Sequence, residues 1–331
     1  MSEVNSLSRL WILRLVPDIR FGRWLCFAGL FLLMFVFLES AGLLLGGYND
    51  SWPIALFFAC IIAYIVPVFH FVTQRSQAAL EELQLNGLIE PDHARRLRQA
   101  VSHRGWRWLL FNLTAATALW FTQSWIITGS IAQTVDSLVR SYPSFVASVA
   151  PLMVWLTMTC VVHALVDNAR MFRNLAASIE IDVFDGHGLI PFGRMAVSST
   201  LIVFGAQALF SIMWLGGDIS PWTTIPGLVP TSIALVYLFV APIWPIHQRL
   251  KSAKQAQLAQ VQHQIRTLAR PISADSPQLV TLLTVRREIS ALPEWPMDIG
   301  VMTRFSLYLV IVPLTWIGAA LIENVVDFFI A

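Results

Sequence analysis

Charge is scarce in this chain. Only 13% of its 331 residues are Asp, Glu, Lys or Arg, about half the roughly 25% of an average soluble domain. Lysine is nearly absent, with 2 among 22 basic residues. The three cysteines, Cys26, Cys60 and Cys160, sit far apart inside apolar stretches, which suits small packing residues better than a disulfide or a metal set. A phosphate-binding glycine loop, an HExxH pair, a nucleophile elbow and Cys/His finger spacing are all missing. No apolar run carries arginine at every third position, which argues against a voltage sensor, and no stretch resembles a potassium-selectivity filter. The middles of the apolar runs hold almost no charge, unlike the broken, charged spans of many transporters. Lacking a polar catalytic set, the chain is not expected to be an enzyme. No cofactor and no nucleic-acid partner is expected.

What fills the sequence instead is apolar surface: 56% hydrophobic residues, with 13 Trp and 21 Phe. The expected fold class is all-α, a polytopic helical membrane protein whose main partner is the lipid bilayer. Runs bounded by polar residues and aromatics predict seven transmembrane helices at about 24–45, 52–72, 108–128, 148–167, 195–216, 225–246 and 305–322. Trp24, Trp52, Trp106, Trp108, Trp125, Trp222 and Trp244 fall near run ends, as an aromatic belt requires, whereas Trp155 and Trp316 fall deeper and are expected between helices. The basic residues divide sharply. The amino-terminal segment holds four, loop 73–107 six, loop 168–194 three and loop 247–304 eight, while the opposite loops hold only Arg140. This split predicts a cytoplasmic amino terminus and an outer carboxyl terminus.

Residues 1–23 mix Arg9, Arg14, Arg20 and Arg23 with apolar side chains, as in a short amphipathic helix lying in the interface. The apolar run after it lacks a small-residue cleavage site, so it reads as a retained first span rather than a signal peptide. Residues 24–246 form a six-span bundle, 247–304 a cytoplasmic helical hairpin with a proline-rich elbow, and 305–331 the seventh span and outer terminus. In loop 73–107 the pattern predicts a helix over 74–85, a turn at Asn86-Gly87 and a helix from Pro91. In the longer loop, Leu258, Val261, Ile265 and Leu268 keep a 3-4-3 spacing, as do Leu282, Val285, Ile289 and Leu292, which predicts two helices with facing seams that continue the sixth span.

The segment Trp244-Pro-Ile-His-Gln-Arg-Leu-Lys-Ser-Ala-Lys254, the turn Pro293-Glu-Trp-Pro-Met-Asp298 and the last helix resemble a set of uncharacterised prokaryotic multi-pass membrane proteins. Phe184-Asp185 and Pro191-Phe192-Gly193-Arg194 are similar too. The resemblance covers roughly the second half of the chain. It implies a bacterial or archaeal plasma membrane and carries no activity with it.

The candidate functional residues fall into three sets. Pro293, Glu294, Trp295, Pro296 and Asp298 form an elbow before the last span, readable as a coupling joint or as a stiff turn seating Trp295 in the interface. His163 and Asp167 share one helical face; with Asp182, Asp185 and His187 in the following loop they could ligate a divalent ion, or simply pair with each other and with nearby arginines. Glu39, Glu323, Asp327, Thr315 and Pro313 are ion-pathway candidates. Glu39 lies inside a span, where an ionisable side chain faces the bundle, a wet cavity or the interface. Glu323 and Asp327 are four apart at the outer end of the last span, and in a symmetric oligomer they would ring a pore mouth. Gly42-Leu-Leu-Leu-Gly46 and Gly318-Ala-Ala320 permit close helix approach, within the bundle or between subunits. Two functions remain open: a homo-oligomeric cation channel gated through cytoplasmic helices, or a non-conducting sensor or scaffold whose hairpins dock a soluble cytoplasmic partner.

Overall fold

The computed structural model describes residues 8–45, 52–179, 186–216, 221–268, 277–292, 294, 295 and 300, with 302, 303, 306, 307, 310, 314, 318 and 321 beyond them. The described chain is all-α apart from one two-stranded pairing. A strand β1 (Ser8–Arg9) leads into a single turn α1 (Trp11–Arg14) and then α2 (Gly22–Glu39). The amphipathic interfacial helix expected over 1–23 is thus one turn long among the described residues. Leu10, Ile12, Leu13 and Val16 are buried in the bundle core, while Trp11, Leu15, Ile19 and Phe21 are exposed. The cause is β1. It pairs antiparallel with β2 (His103–Arg104), and the Leu10 N–H donates to the Ser102 carbonyl at 3.0 Å, which draws the segment under the helices.

Glycine sets the ends of the first two long helices. Helix α2 stops at Glu39, short of the 45 expected, because Gly42 takes φ 67°. The Gly42 N–H bonds Glu39 O at 2.8 Å and the Leu43 N–H bonds Leu38 O at 3.3 Å, the paired bonds of a Schellman closure. Gly42 therefore ends a helix; Gly46, with which it was expected to pair, lies outside the described residues. Helix α3 (Trp52–Leu85) closes the same way at Gly87, φ 72°, with Leu88 N–H on Leu83 O at 3.1 Å. Span two and the loop helix expected over 74–85 are one continuous rod of 34 residues, roughly 51 Å long. The expected turn and the following helix, α4 (Pro91–Ser102), are present.

After β2 come α5 (Trp106–Thr128), a short α6 (Ile131–Val139) and α7 (Tyr142–Ser178). Ser141 caps α7 by accepting from the Ser144 N–H at 3.3 Å. Helix α8 (Ile190–Leu209) runs on into a 3₁₀ segment, Phe210–Gly216. Helix α9 (Pro221–Leu268) has 48 residues, roughly 72 Å, so the sixth span does continue into the hairpin. Its partner α10 (Pro277–Ala291) packs back along it, with Val261 and Ile289 buried in the seam.

Among the described residues, five helices are long and apolar enough to cross a membrane: Gly22–Glu39, Trp52–Leu85, Tyr142–Ser178, Ile190–Met213 and Val229–Thr267. They coincide with the first, second, fourth, fifth and sixth expected spans. The third forms its helix, α5, but Asn112, Gln123 and several Thr and Ser dilute its apolar character. Four of those threonines, at 114, 117, 122 and 128, donate back to carbonyls of their own helix, which hides their polarity. The seventh, 305–322, lies mostly outside the described residues. Apolar side chains cover the bundle's outside: Trp24, Leu32, Phe111, Ile127, Ile233 and Val236 are all exposed. Soluble monomers do not carry such continuous apolar surface; the chain is membrane-embedded.

Two cores hold it together. The larger lies between α2, α3, α7, α8 and α9 within the apolar zone. Helix α8 crosses α3 at Gly205, where any Cβ would collide with the Tyr64 hydroxyl; that approach was not read from the sequence. The smaller core lies at the end carrying the basic loops. There Leu80, Leu83, Val101, Phe172, Phe192 and Ile246 join the extensions of α3, α7 and α9 to α4 and the start of α8. Phe192 meets Phe172 edge to face, centroids 5.8 Å apart, and Arg194 pairs with Glu82 at 2.7 Å. The basic loops are thus a packed layer rather than tails.

Candidate functional site

Where α5 enters beside the last third of α7, polar side chains collect around one carboxylate. Trp108 and Asn112 are four apart on α5 and face His163 and Asp167, four apart on α7. The Trp108 indole N–H donates to Asp167 Oδ2 at 3.0 Å. His163 Nε2 lies 3.7 Å from the same oxygen, and its Nδ1 lies 3.0 Å from the Asn112 amide. The imidazole also stacks on Trp108, centroids 4.9 Å apart. Arg104 reaches in from β2, held by the strand pairing and by a bond to Ala100 O. Its Nη2 donates to Asn168 Oδ1 at 3.2 Å, and its Nε lies 3.9 Å from Asp167. Arg170 approaches Asp167 from the other side at 3.8 Å. Burial pulls the Arg104 guanidinium below its ordinary value, and the charge of Asp167 opposes that pull.

This junction does not suit a divalent cation. Both nitrogens of His163 have partners, and Asp167 is enclosed by an indole donor and two guanidiniums that would repel a metal. The pair fits an ion-pair junction between α5 and α7. Of the other proposed ligands, Asp182, Asp185 and the side chain of His187 lie outside the described residues. Among the described residues no three His, Cys, Asp or Glu side chains come together.

At the elbow, Pro293, Pro296 and Asp298 lie outside the described residues, but Glu294 and Trp295 are placed. Lys254 of α9 donates to the carbonyls of Ser290 and Leu292, both at 2.9 Å, and sits 3.4 Å from the Glu294 carboxylate. A cation on the terminal carbonyls of α10 complements that helix's dipole. His247 Nδ1–H donates to Glu294 O at 2.9 Å, and its ring stacks on Trp295 at 4.1 Å. The two segments that carry the sequence resemblance, 244–254 and 293–298, therefore touch. Sequence reasoning named both but did not join them, because their contact spans about forty residues and is set by the hairpin.

Among the ion-pathway candidates, Glu39 closes its own turn: its Oε2 accepts from the Leu45 N–H at 2.8 Å. Neighbouring Ser40 bonds the Tyr142 hydroxyl at 2.7 Å. Pro313, Thr315, Glu323 and Asp327 lie outside the described residues. A Cβ built on Gly318 would meet nothing within 4 Å among the described residues, which leaves that point free for close approach; Ala319 and Ala320 lie outside them. Trp155 lies between helices as expected, its indole bonded to Gln123 of α5; Trp316 lies outside the described residues.

Above the junction, one face of α7 lines a cavity of about 660 Å³. The face runs from Ala147 through Val154, Met158 and Val162 to Arg170. Phe57 and Phe58 of α3, Phe210, and Phe111 and Leu119 of α5 supply much of the opposite wall. Arg104, Trp108 and Asn112 were missed from sequence. The available signal was Asn112, an amide in the second turn of α5 among aromatic and aliphatic residues; it is wholly buried, and such a group demands a partner. No known protein family matches the chain, and no curated protein or solved structure is similar to it.

Proposed function

We propose that this membrane protein couples its cytoplasmic hairpin to its last span, and that the output is cation conductance in a homo-oligomer. The observation that carries the coupling is the clamp of His247 and Lys254 on Ser290, Leu292, Glu294 and Trp295. It ties the segment entering the last span to the rod α9, so a displacement of the hairpin is delivered at the membrane surface. The charge split supports seven crossings, with the basic layer cytoplasmic and the carboxyl terminus outside. A reporter active only outside the cytoplasm should therefore be silent when inserted at His263 and active after Ala331; activity at His263 overturns that topology.

Conductance has its support in the acids at the outer end, Glu323 and Asp327, which in a ring concentrate cations. Purified protein in liposomes should pass monovalent cations. Glu323→Gln with Asp327→Asn should lower cation preference by roughly tenfold at low salt. His247→Ala with Lys254→Ala should change the open fraction while leaving ion preference as it is. Absence of flux from folded protein overturns the channel. One observation favours the non-conducting alternative: Val280 and Leu283 of α10 are 61% and 46% exposed, on the side of the hairpin away from its seam. A soluble partner bound there, lost with Val280→Asp, would establish the scaffold reading.

A further inference from the structure

We propose that the cavity along α7 holds one anionic phospholipid, with its phosphate on the Arg170 guanidinium and its chains along the apolar face above. The site is built at both ends of that amphiphile. Its volume of about 660 Å³ takes the headgroup region and the upper part of the chains, whose ends leave through the opening toward the bilayer. Its walls between Val154 and Val166 are mostly apolar, with Phe111, Met158 and Val162 facing the space and Thr159 and His163 the polar members on α7. On α5, three lining residues remain open to the outside: Phe111 is 59% exposed, Leu119 39% and Ile127 52%. A lipid therefore has a lateral way in from the bilayer.

The charge at the basic end selects the headgroup. Two guanidiniums, Arg104 and Arg170, share the one carboxylate of Asp167, leaving one positive charge in excess among these groups. Arg104 is the inner of the two, 13% exposed and bonded to Asn168 and Ala100. Arg170 lines the cavity, is 57% exposed, and lies at a loose 3.8 Å from Asp167. Its planar fork suits a phosphate diester through paired N–H donors. Trp108, donating to Asp167, and His163, stacked on it, mark the depth at which headgroups sit. A zwitterionic lipid would bring its own cation to this end and gain less.

The inference rests on the membrane placement above, not on conduction, and its test reads neither topology nor flux. Protein in a mild detergent is exchanged into nanodiscs or micelles with equal phosphatidylglycerol and phosphatidylcholine, and bound lipid is counted by native mass spectrometry. The wild type should retain one phosphatidylglycerol. Arg170→Gln should weaken that retention by about tenfold, the loss of one charge-assisted contact. Arg173→Gln, an exposed arginine outside the cavity lining, should leave it unchanged. Val162→Trp should exclude the lipid by filling the space while leaving all charges in place. Equal retention of both lipids, no retained lipid, or an equal loss with Arg173→Gln would each overturn the proposal.

Discussion

Asp167→Ala is expected to destabilise the bundle by about 2–4 kcal/mol, below the 3–5 typical of breaking a fully buried pair because the carboxylate keeps some contact with solvent. Its Oδ2 is the acceptor for the Trp108 indole at 3.0 Å, and its carboxylate is the nearby counter-charge for Arg104, which is only 13% exposed. Alanine leaves a buried guanidinium and an indole donor without that partner. Asp167→Asn preserves an acceptor for Trp108 and removes the charge, so its cost should be about half as large. Unfolding of the detergent-solubilised protein by a denaturing detergent, followed by tryptophan fluorescence, separates the two. Equal stability of Asp167→Ala and wild type would show that the junction is not what joins α5 to α7. Indifference of Asp167→Asn alone would show that the indole bond, not the charge, carries it.

Phe192→Ala should cost about 3–5 kcal/mol, the range for removing a buried aromatic ring. The ring is wholly buried in the smaller core and meets Phe172 edge to face. It sits at the start of α8 among side chains from α3, α4, α7 and α9. The loss should therefore fall on the basic layer rather than on the apolar bundle. Hydrogen exchange or limited proteolysis should show α4 opening first, while the five apolar helices stay protected. Phe192→Leu, which keeps most of the volume, should cost about 1–1.5 kcal/mol. Uniform loosening of all helices would instead mean that the two cores unfold as one unit.

Much of this architecture was legible because it is local. A run of twenty apolar residues, a Gly after a helix and a 3-4-3 seam each act within one or two turns. The turn at Asn86-Gly87, the start of α4 at Pro91 and the continuation of the sixth span into a hairpin were read that way, and five expected spans have their apolar helices. Local signals also misled. Gly42 reads as a small packing residue, yet its left-handed backbone is what ends α2. The amino-terminal mixture of arginines and apolar residues reads as one short helix, yet only a single turn forms among the described residues beside the strand pairing, with Leu10, Ile12, Leu13 and Val16 buried and Trp11, Leu15, Ile19 and Phe21 exposed.

The sequence by itself determined the all-helical class, the membrane and the uneven distribution of basic charge. Each follows from composition and periodicity summed along the chain, and none of the three depends on which helix lies beside which. Tertiary structure alone decided the partners: Asp167 with Trp108 and Arg104, Lys254 with the end of α10, Gly205 against Tyr64, and the open cavity along α7. Those contacts join residues dozens of positions apart. Helices of similar apolar surface can pack in many arrangements of near-equal burial. Only the fit of particular side chains, a glycine under a hydroxyl or a carboxylate between two guanidiniums, selects one of them.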